Sequence, residues 1–297
     1  MPVSDVIRVF VGASPSEVLP LKVLEFTIRE HTEMPVELSF MSDLEYPLPK
    51  DEVNQPGTKF SFYRFMIPQL AGYAGKALYL DSDMMVFKDM RDLWQIPFDG
   101  AQVLTVLTPE GQPTKNHSVL LIDCGAVDWR ISEIVRGLDD RRYDYDQLMR
   151  DLCIVPSDRM PARIPYVWNS LDTYEPGKTA LLHFTALHSQ PWTGTRHPLA
   201  KVWTGALIRA VEKGVVDRTT IREEVARGNI RPSLLYQVEA GIADPAALSH
   251  DVLAGDRRFV PPYQTLAKNR FPQRVRRKLR QLTRQMWARG RGRTHRA

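Results

Sequence analysis

The chain of 297 residues is 43% hydrophobic, 25% charged and 9% aromatic, an ordinary globular composition with enough apolar residues for a substantial core. No apolar run approaches the ~18–20 residues of a membrane span, no basic-then-apolar leader is read, and two cysteines (Cys124 and Cys153) are too few for a disulfide scaffold or a thiolate metal cluster. The net charge of +5 is uneven: twelve of the 40 Lys and Arg fall in residues 268–297, where no Asp or Glu occurs, so the remaining 28 face 35 acidic residues. A mildly acidic body thus carries a strongly basic tail, and the asymmetry points to an anionic partner for the tail alone. A secreted knot, a zinc finger, a membrane span and a mostly disordered chain are excluded, and a cytoplasmic protein of enzyme size is expected.

Val6–Gly12 (VIRVFVG) reads as a β-rich run closed by glycine, Leu21–Glu30 has apolar residues at helical spacing, and VELSFMS at 36–42 reads as a second strand. Strand, helix and strand in such close succession open a βαβ unit and predict a parallel sheet. The Pro-rich stretch 46–57 is a loop. Phe60–Leu70 predicts a helix, and Lys76–Leu80 (KALYL) a short buried strand running into Asp81. Ala101–Leu107 and Ser118–Ile122 read as two more strands. From Ala200 to Leu253 helical patterns dominate, broken at Gly214, Gly228 and Pro232. The predicted class is α/β, divided into a sheet domain over 1–198, a helical C-terminal region over 199–262 and a basic amphipathic tail over 263–297.

The most informative segment is YLDSDMMVFKDMRDLW at 79–94. An apolar strand ending in Asp81-Ser82-Asp83 sets two carboxylates at the carboxyl edge of a sheet, where open α/β sheets bind ligands. Carboxylate oxygens are hard ligands suited to Mg²⁺ or Mn²⁺, which in turn grip nucleotide phosphates. The simpler alternative is an acidic turn that caps the next helix. Against it, two Asp directly after a buried strand are costly unless paired or metal-bound.

Tyr79, Leu80, Asp81 and Asp83, followed by Val86, Asp89 and the Leu93-Trp94 pair, resemble the signature block of glycosyltransferase family 8, the glycogenin and lipopolysaccharide-galactosyltransferase group. Other blocks follow in the family's order: FSFYRFMIP at 60–68, Asn116-His117-Ser118 before VLLID, Asp146-Gln147, Trp168-Asn169, and LLHFTALHSQPW at 181–192. The likeness covers roughly residues 7–195. It implies a GT-A-type, Rossmann-like, mixed and mostly parallel sheet flanked by helices. It implies a hexosyltransferase that uses a nucleotide-sugar donor, most often a UDP-sugar, and transfers with retention of anomeric configuration. It also implies a metal site of Asp81, Asp83 and His183 holding Mn²⁺ (or Mg²⁺). A lone His after an apolar run is otherwise a satisfied core histidine.

By the same resemblance the donor contacts take in Val11, Gly12, Arg64, Asp81, Ser82, Asp83, Gln190 and Trp192, and the residues around the transferred sugar are Asn116, Asp146 and Gln147. Taken alone, Arg64 fits a salt bridge on a helix face as well as a diphosphate contact, and DYDQ at 144–147 fits a solvated turn. The chain departs from the family pattern in three places. Ser118 stands for the Gly of Asn-x-Gly, the aromatic residue after the first strand is missing, and Ser189 or Gln190 replaces the phosphate-binding Lys. His188, Arg196 or His197 are then other sources of positive charge.

In the tail, Val275, Leu279, Leu282 and Met286 recur at helical spacing among Arg274, Arg277, Lys278, Arg280 and Arg284. Such a basic amphipathic helix fits an anionic membrane surface, at about 1 kcal/mol per basic residue, and places the protein in the cytoplasm on the inner face of the cell membrane. Docking on the protein's own body and a nucleic-acid arm are the alternatives, and no nucleic-acid partner is expected. The family resemblance implies a saccharide or lipid-linked acceptor. Competing functions are a sugar-nucleotide nucleotidyltransferase, a haloacid-dehalogenase-type phosphatase and a silent binding module. The first wants a Gly-rich basic loop where GASPSEV stands at 12–18, and the second wants its Asp-x-Asp on the first strand.

Overall fold

The computed structural model describes residues 6–109 and 117–265; Asn116 and the amphipathic segment of the tail lie outside the described residues. Strand β1 (Ile7–Gly12) is buried at five of its six positions because both faces are covered. Helix α1 (Val18–His31) carries the chain over to β2 (Val36–Met41), which pairs parallel with β1 from Ile7↔Val36 to Gly12↔Met41. The expected βαβ opening is present.

The segment expected to be helical over 60–70 is a 3₁₀ run, Lys59–Met66, followed by a single α turn, α2 (Ile67–Leu70). Pro68 is the cause. A proline has no N–H to donate and is tolerated only in the first turn of an α-helix, so an α-helix can begin there but cannot run through it.

Strand β3 (Lys76–Asp81) flanks β1 on its other side, again parallel, with Gly12 opposite Asp81. Next come β4 (Met84–Val86), α3 (Arg91–Trp94), β5 (Val103–Val106), β6 (Val119–Asp123), α4 (Ile131–Asp139), α5 (Tyr145–Asp151) and β7 (Ala162–Ile164). The main sheet has the order β2-β1-β3-β6-β5-β7. Only β6 runs against the rest, antiparallel to both β3 and β5, so the sheet is mixed and mostly parallel.

A second, small sheet decides where the function sits. Strands β8 (Ser170–Leu171) and β9 (Leu181–His183) join β4 in the order β4-β9-β8. The antiparallel register places Met84 opposite His183 and so brings the acidic turn at 81–83 against a residue far along the chain.

Helices α6 (Ala200–Glu212), α7 (Arg218–Ala226) and α8 (Pro232–Ala240) complete the body. Gly214 and Gly228 follow the first two with φ of +72° each, the left-handed conformation that glycine adopts without steric cost. Pro232 opens α8 instead of ending a helix, as its fixed φ favours. Trp203, Leu207, Ile221 and Leu234 share one apolar cluster with Leu19, Val23 and Phe26 of α1 and with Leu182, Phe184 and Trp192. Fully burying each such side chain contributes about 1.5–3 kcal/mol. Arg231 ties the same junction from inside: its backbone N–H donates to Trp192 O at 2.9 Å and its Nε to Pro191 O at 3.0 Å. Among the described residues, no helix is long and apolar enough to cross a membrane.

Candidate active site

Because β1 and β3 are parallel, both carboxyl ends reach the same sheet edge, the edge at which open α/β sheets bind ligands. Asp81 ends β3, and Tyr79, two residues earlier, projects from the same face. The Tyr79 hydroxyl donates to Asp81 Oδ1 at 2.5 Å. Arg64, buried on the 3₁₀ run, donates from Nη2 to that hydroxyl at 3.3 Å, and the same nitrogen lies 3.7 Å from Asp81 Oδ1. Its Nη1 donates to His117 O at 2.8 Å and its Nε to Ser61 O at 3.1 Å, with the guanidinium 4.6 Å from the Tyr79 ring centroid. Arg64 is therefore a buried counter-charge to Asp81. Gly12 allows this arrangement, since a Cβ there would lie 2.9 Å from the Tyr79 hydroxyl.

Asp83 meets the second sheet. Its Oδ1 lies 3.1 Å from His183 Nε2, its Oδ2 accepts from Gln190 Nε2 at 3.0 Å, and its backbone carbonyl accepts from Phe184 N at 2.9 Å. On the far side of the imidazole, His183 Nδ1 is 3.0 Å from Asn169 Oδ1. With Nδ1–H donating to that oxygen, Nε2 carries the lone pair, the usual arrangement of a metal-ligating histidine and its outer partner. Two acceptors, Asp83 Oδ1 and His183 Nε2, then face each other. A proton or a cation must lie between them.

The proton's claim shows in the basicity of the imidazole. Burial alone pushes the His183 pKa down, but the Asp83 carboxylate outweighs burial and the pKa is raised. The cation's claim is equally direct. Ligand atoms of Asp81, Asp83 and His183 all lie within 4.8 Å of one another, and Asp83 Oδ1 is a buried oxygen with no hydrogen-bond donor among the described residues. Two hard carboxylates and one imidazole fit a divalent ion such as Mn²⁺ or Mg²⁺. Ser82 Oγ, between the aspartates, is likewise buried without a partner among the described residues.

One acidic residue at this edge was not singled out in the sequence. Glu17 accepts from Ser14 N at 2.6 Å and from Ser14 Oγ at 2.7 Å, a capping box on the short 3₁₀ turn Pro15–Glu17 that precedes α1. Burial, then Asp83, then Asp81 raise its pKa from 4.5 to about 7, against the Ser14 hydrogen bonds that lower it. The signal was legible as Ser-x-x-Glu directly after the first strand.

The other expected site residues fall as follows. Val11 is buried in the core, so only its backbone is available at the edge. Trp192 is 2% exposed and packs 6.1 Å from Phe184 and 5.2 Å from Trp203, which seats the segment that carries Gln190. His197 is buried with both nitrogens engaged: Nδ1 accepts from Leu199 N at 3.1 Å and Nε2 meets Asp172 Oδ1 at 3.1 Å. It is therefore no free source of charge for a phosphate, whereas His188 and Arg196 are exposed. Asp146 and Gln147 sit in the first turn of α5. There Gln147 is exposed and its Oε1 accepts from Asp144 N at 2.9 Å, while Asp146 lies 4.0 Å from Arg150.

With this geometry in view, comparison with known proteins is informative. Residues 20–130 match the model of glycosyl transferase family 8. Protein CDI of Arabidopsis thaliana is 27% identical over 189 residues, 56% of this chain and 69% of that protein. Among solved structures, the bifunctional glycosyltransferase WbbM superposes with a TM-score of 0.52 at 13% identity, over 70% of this chain and 50% of that one. The glycosyltransferase GlyE of Streptococcus pneumoniae TIGR4 gives 0.50 at 17% identity, over 70% and 64%. The chain thus spans only half to just under two thirds of these two structures, and at such identities they establish the fold alone.

The chain has the GT-A fold that these glycosyltransferases share. Its domain over residues 20–130 is family 8-like, and the Asp-Asp-His cluster stands at the edge of that domain's sheet.

Proposed function

We propose that the protein is a metal-dependent retaining hexosyltransferase that moves a sugar from a nucleotide-sugar donor, of the UDP-sugar class, to a saccharide or lipid-linked acceptor. The observation that carries this reading is the pair of facing acceptors, Asp83 Oδ1 and His183 Nε2, with Asp81 completing a cluster within 4.8 Å at the carboxyl edge of a family 8-like sheet. Asp81, Asp83 and His183 would hold Mn²⁺ or Mg²⁺. When bound, such an ion offsets the charge of a diphosphate and of the nucleotide leaving from it.

The protein's own residues do the rest. Arg64 and Tyr79 orient Asp81, and Asn169 sets the His183 tautomer. The backbone at Val11 and Gly12 lies beside Asp81 at the edge and receives the nucleotide. Asn116, Asp146 and Gln147 are assigned to the transferred sugar, for which Gln147 must leave its capping bond to Asp144. Residues 1–198 act as the donor-binding unit and 199–262 as its support. The basic tail, 263–297, attaches the protein to an anionic membrane surface, which co-sedimentation with anionic against neutral vesicles would test.

The enzymatic reading is tested by a donor screen. Purified protein meets a panel of nucleotide sugars with and without Mn²⁺, read by thermal shift and by slow donor hydrolysis, alongside Asp83→Ala. A Mn²⁺-dependent rise in Tm with one nucleotide class, lost in the variant, is the expected result. No stabilisation by any nucleotide would overturn the reading.

A further inference from the structure

Gln190 lies between β9 and α6 and is 4% exposed. Its Nε2 donates to Asp83 Oδ2 at 3.0 Å and to Phe184 O at 2.8 Å. A carboxamide nitrogen carries two hydrogens, and these two acceptors take both. Turning the amide over would set its oxygen against a carboxylate and a carbonyl, so the orientation is fixed by the partners themselves. With Oδ2 held, the rotation of the Asp83 carboxylate is fixed too. Oδ1 is then the atom that faces His183 Nε2 at 3.1 Å, buried and without a donor of its own among the described residues.

We propose that Gln190 is a positioning residue of the cation site: it pins Asp83 so that Oδ1 is presented to a divalent ion. The proposal rests on reading Asp81, Asp83 and His183 as that site. Charge explains why an amide suits the task. Arg64 already offsets Asp81. Gln190 orders Asp83 without cancelling its charge, so the cluster keeps the negative field that draws in a cation. A lysine at this position would order the carboxylate and neutralise it together.

The segment bearing Gln190 is held at both ends, which gives the amide a fixed base to act from. Upstream, Asp172 Oδ1 accepts from Thr185 N at 3.0 Å and Asp172 Oδ2 accepts from the Thr185 hydroxyl. Asp172 adopts φ +50°, a left-handed conformation for a residue with a side chain, and also contacts buried His197. Downstream, Arg231 Nε holds Pro191 O at 3.0 Å.

The test uses Mn²⁺ alone as probe, with the full chain free of nucleotide. Affinity is read by calorimetry and by the loss of the free-Mn²⁺ resonance signal. The proteins are wild type, Gln190→Ala, the near-isosteric Gln190→Met, Gln190→Lys and Asp83→Ala. Removal of an outer partner of a metal ligand typically weakens binding 10–100-fold, and that loss is expected for Gln190→Ala and Gln190→Met. Gln190→Lys should lose at least as much, because it adds a positive charge. The Tm in EDTA should stay within a few degrees of wild type for Gln190→Met, which separates positioning from general stability. Wild-type Mn²⁺ affinity in both Gln190→Ala and Gln190→Met would overturn the role of Gln190 and leave the cation site standing. A wild-type protein that binds Mn²⁺ no better than Asp83→Ala would instead overturn the cation site, and this proposal with it.

Discussion

Glu17 gives the most quantitative handle on the acidic edge. Its pKa of about 7 in the folded protein, against an ordinary 4.5, means that the native state holds its proton more tightly than the unfolded chain does. Stability therefore falls as pH rises from about 4.5 through 7, and the full penalty is present above pH 8. At 1.36 kcal/mol per pH unit the shift corresponds to about 3 kcal/mol. Glu17→Gln removes the titration while keeping an oxygen for Ser14 to donate to. The variant should match wild type near pH 4 and exceed it by about 3 kcal/mol at pH 8.5. For a chain of this length, at ~2.1 cal/mol/K of unfolding entropy per residue, that is about 5 °C in Tm. Urea unfolding of both proteins from pH 4 to 8.5, in EDTA, isolates the effect, because every other titrating group is common to both. A stability difference that stays constant across the range would refute the argument. Asp83→Asn should shrink the difference, since Asp83 is the largest charge acting on Glu17.

Three further outcomes are expected. Gly12→Ala sets a Cβ 2.9 Å from the Tyr79 hydroxyl and should cost about 1–3 kcal/mol in urea unfolding, with weaker Mn²⁺ binding as Asp81 loses its donor. Arg64→Ala leaves Asp81 beside a buried, uncompensated pocket and should cost about 3–5 kcal/mol, measurable by the same unfolding assay, with Arg64→Lys recovering part of it. Because the His183 pKa is raised by Asp83, protons compete with the cation: Mn²⁺ affinity should fall as pH is lowered, by up to ~10-fold per pH unit once His183 is protonated. A calorimetric titration at several pH values that shows no such trend would remove His183 from the ligand set.

Much of the fold was legible because short-range pattern determined it. The apolar run before Gly12, the helical spacing at 21–30 and the strand running into Asp81 each formed close to where they were expected. The error at 60–70 came from weighing apolar spacing above Pro68, whose missing N–H fixes where an α-helix can start. In the site, the Asp-x-Asp turn was legible from its place after an apolar strand, His183 was found through family likeness, and the β4–β9 register brought them together. The role of Gln190 was not legible, because a glutamine beside a proline shows nothing of an aspartate over a hundred residues upstream. Glu17 was missed because its capping motif reads as purely local, whereas its charge environment depends on the end of a neighbouring strand.

The pairing of Met84 with His183 also sets an order of manufacture. A chain emerges from the ribosome amino end first, and domains begin to fold as they emerge. Both aspartates of the cluster are therefore made, and their strand can pair with β1, long before their imidazole partner exists. Gln190 follows a few residues later, and the arginine that grips its segment only at position 231. Closing so long a loop is slow relative to local helix and strand formation. A product cut short before His183 keeps the acidic turn but lacks the imidazole of the cluster, and one cut before Arg231 lacks the bond that holds Pro191 beside Gln190.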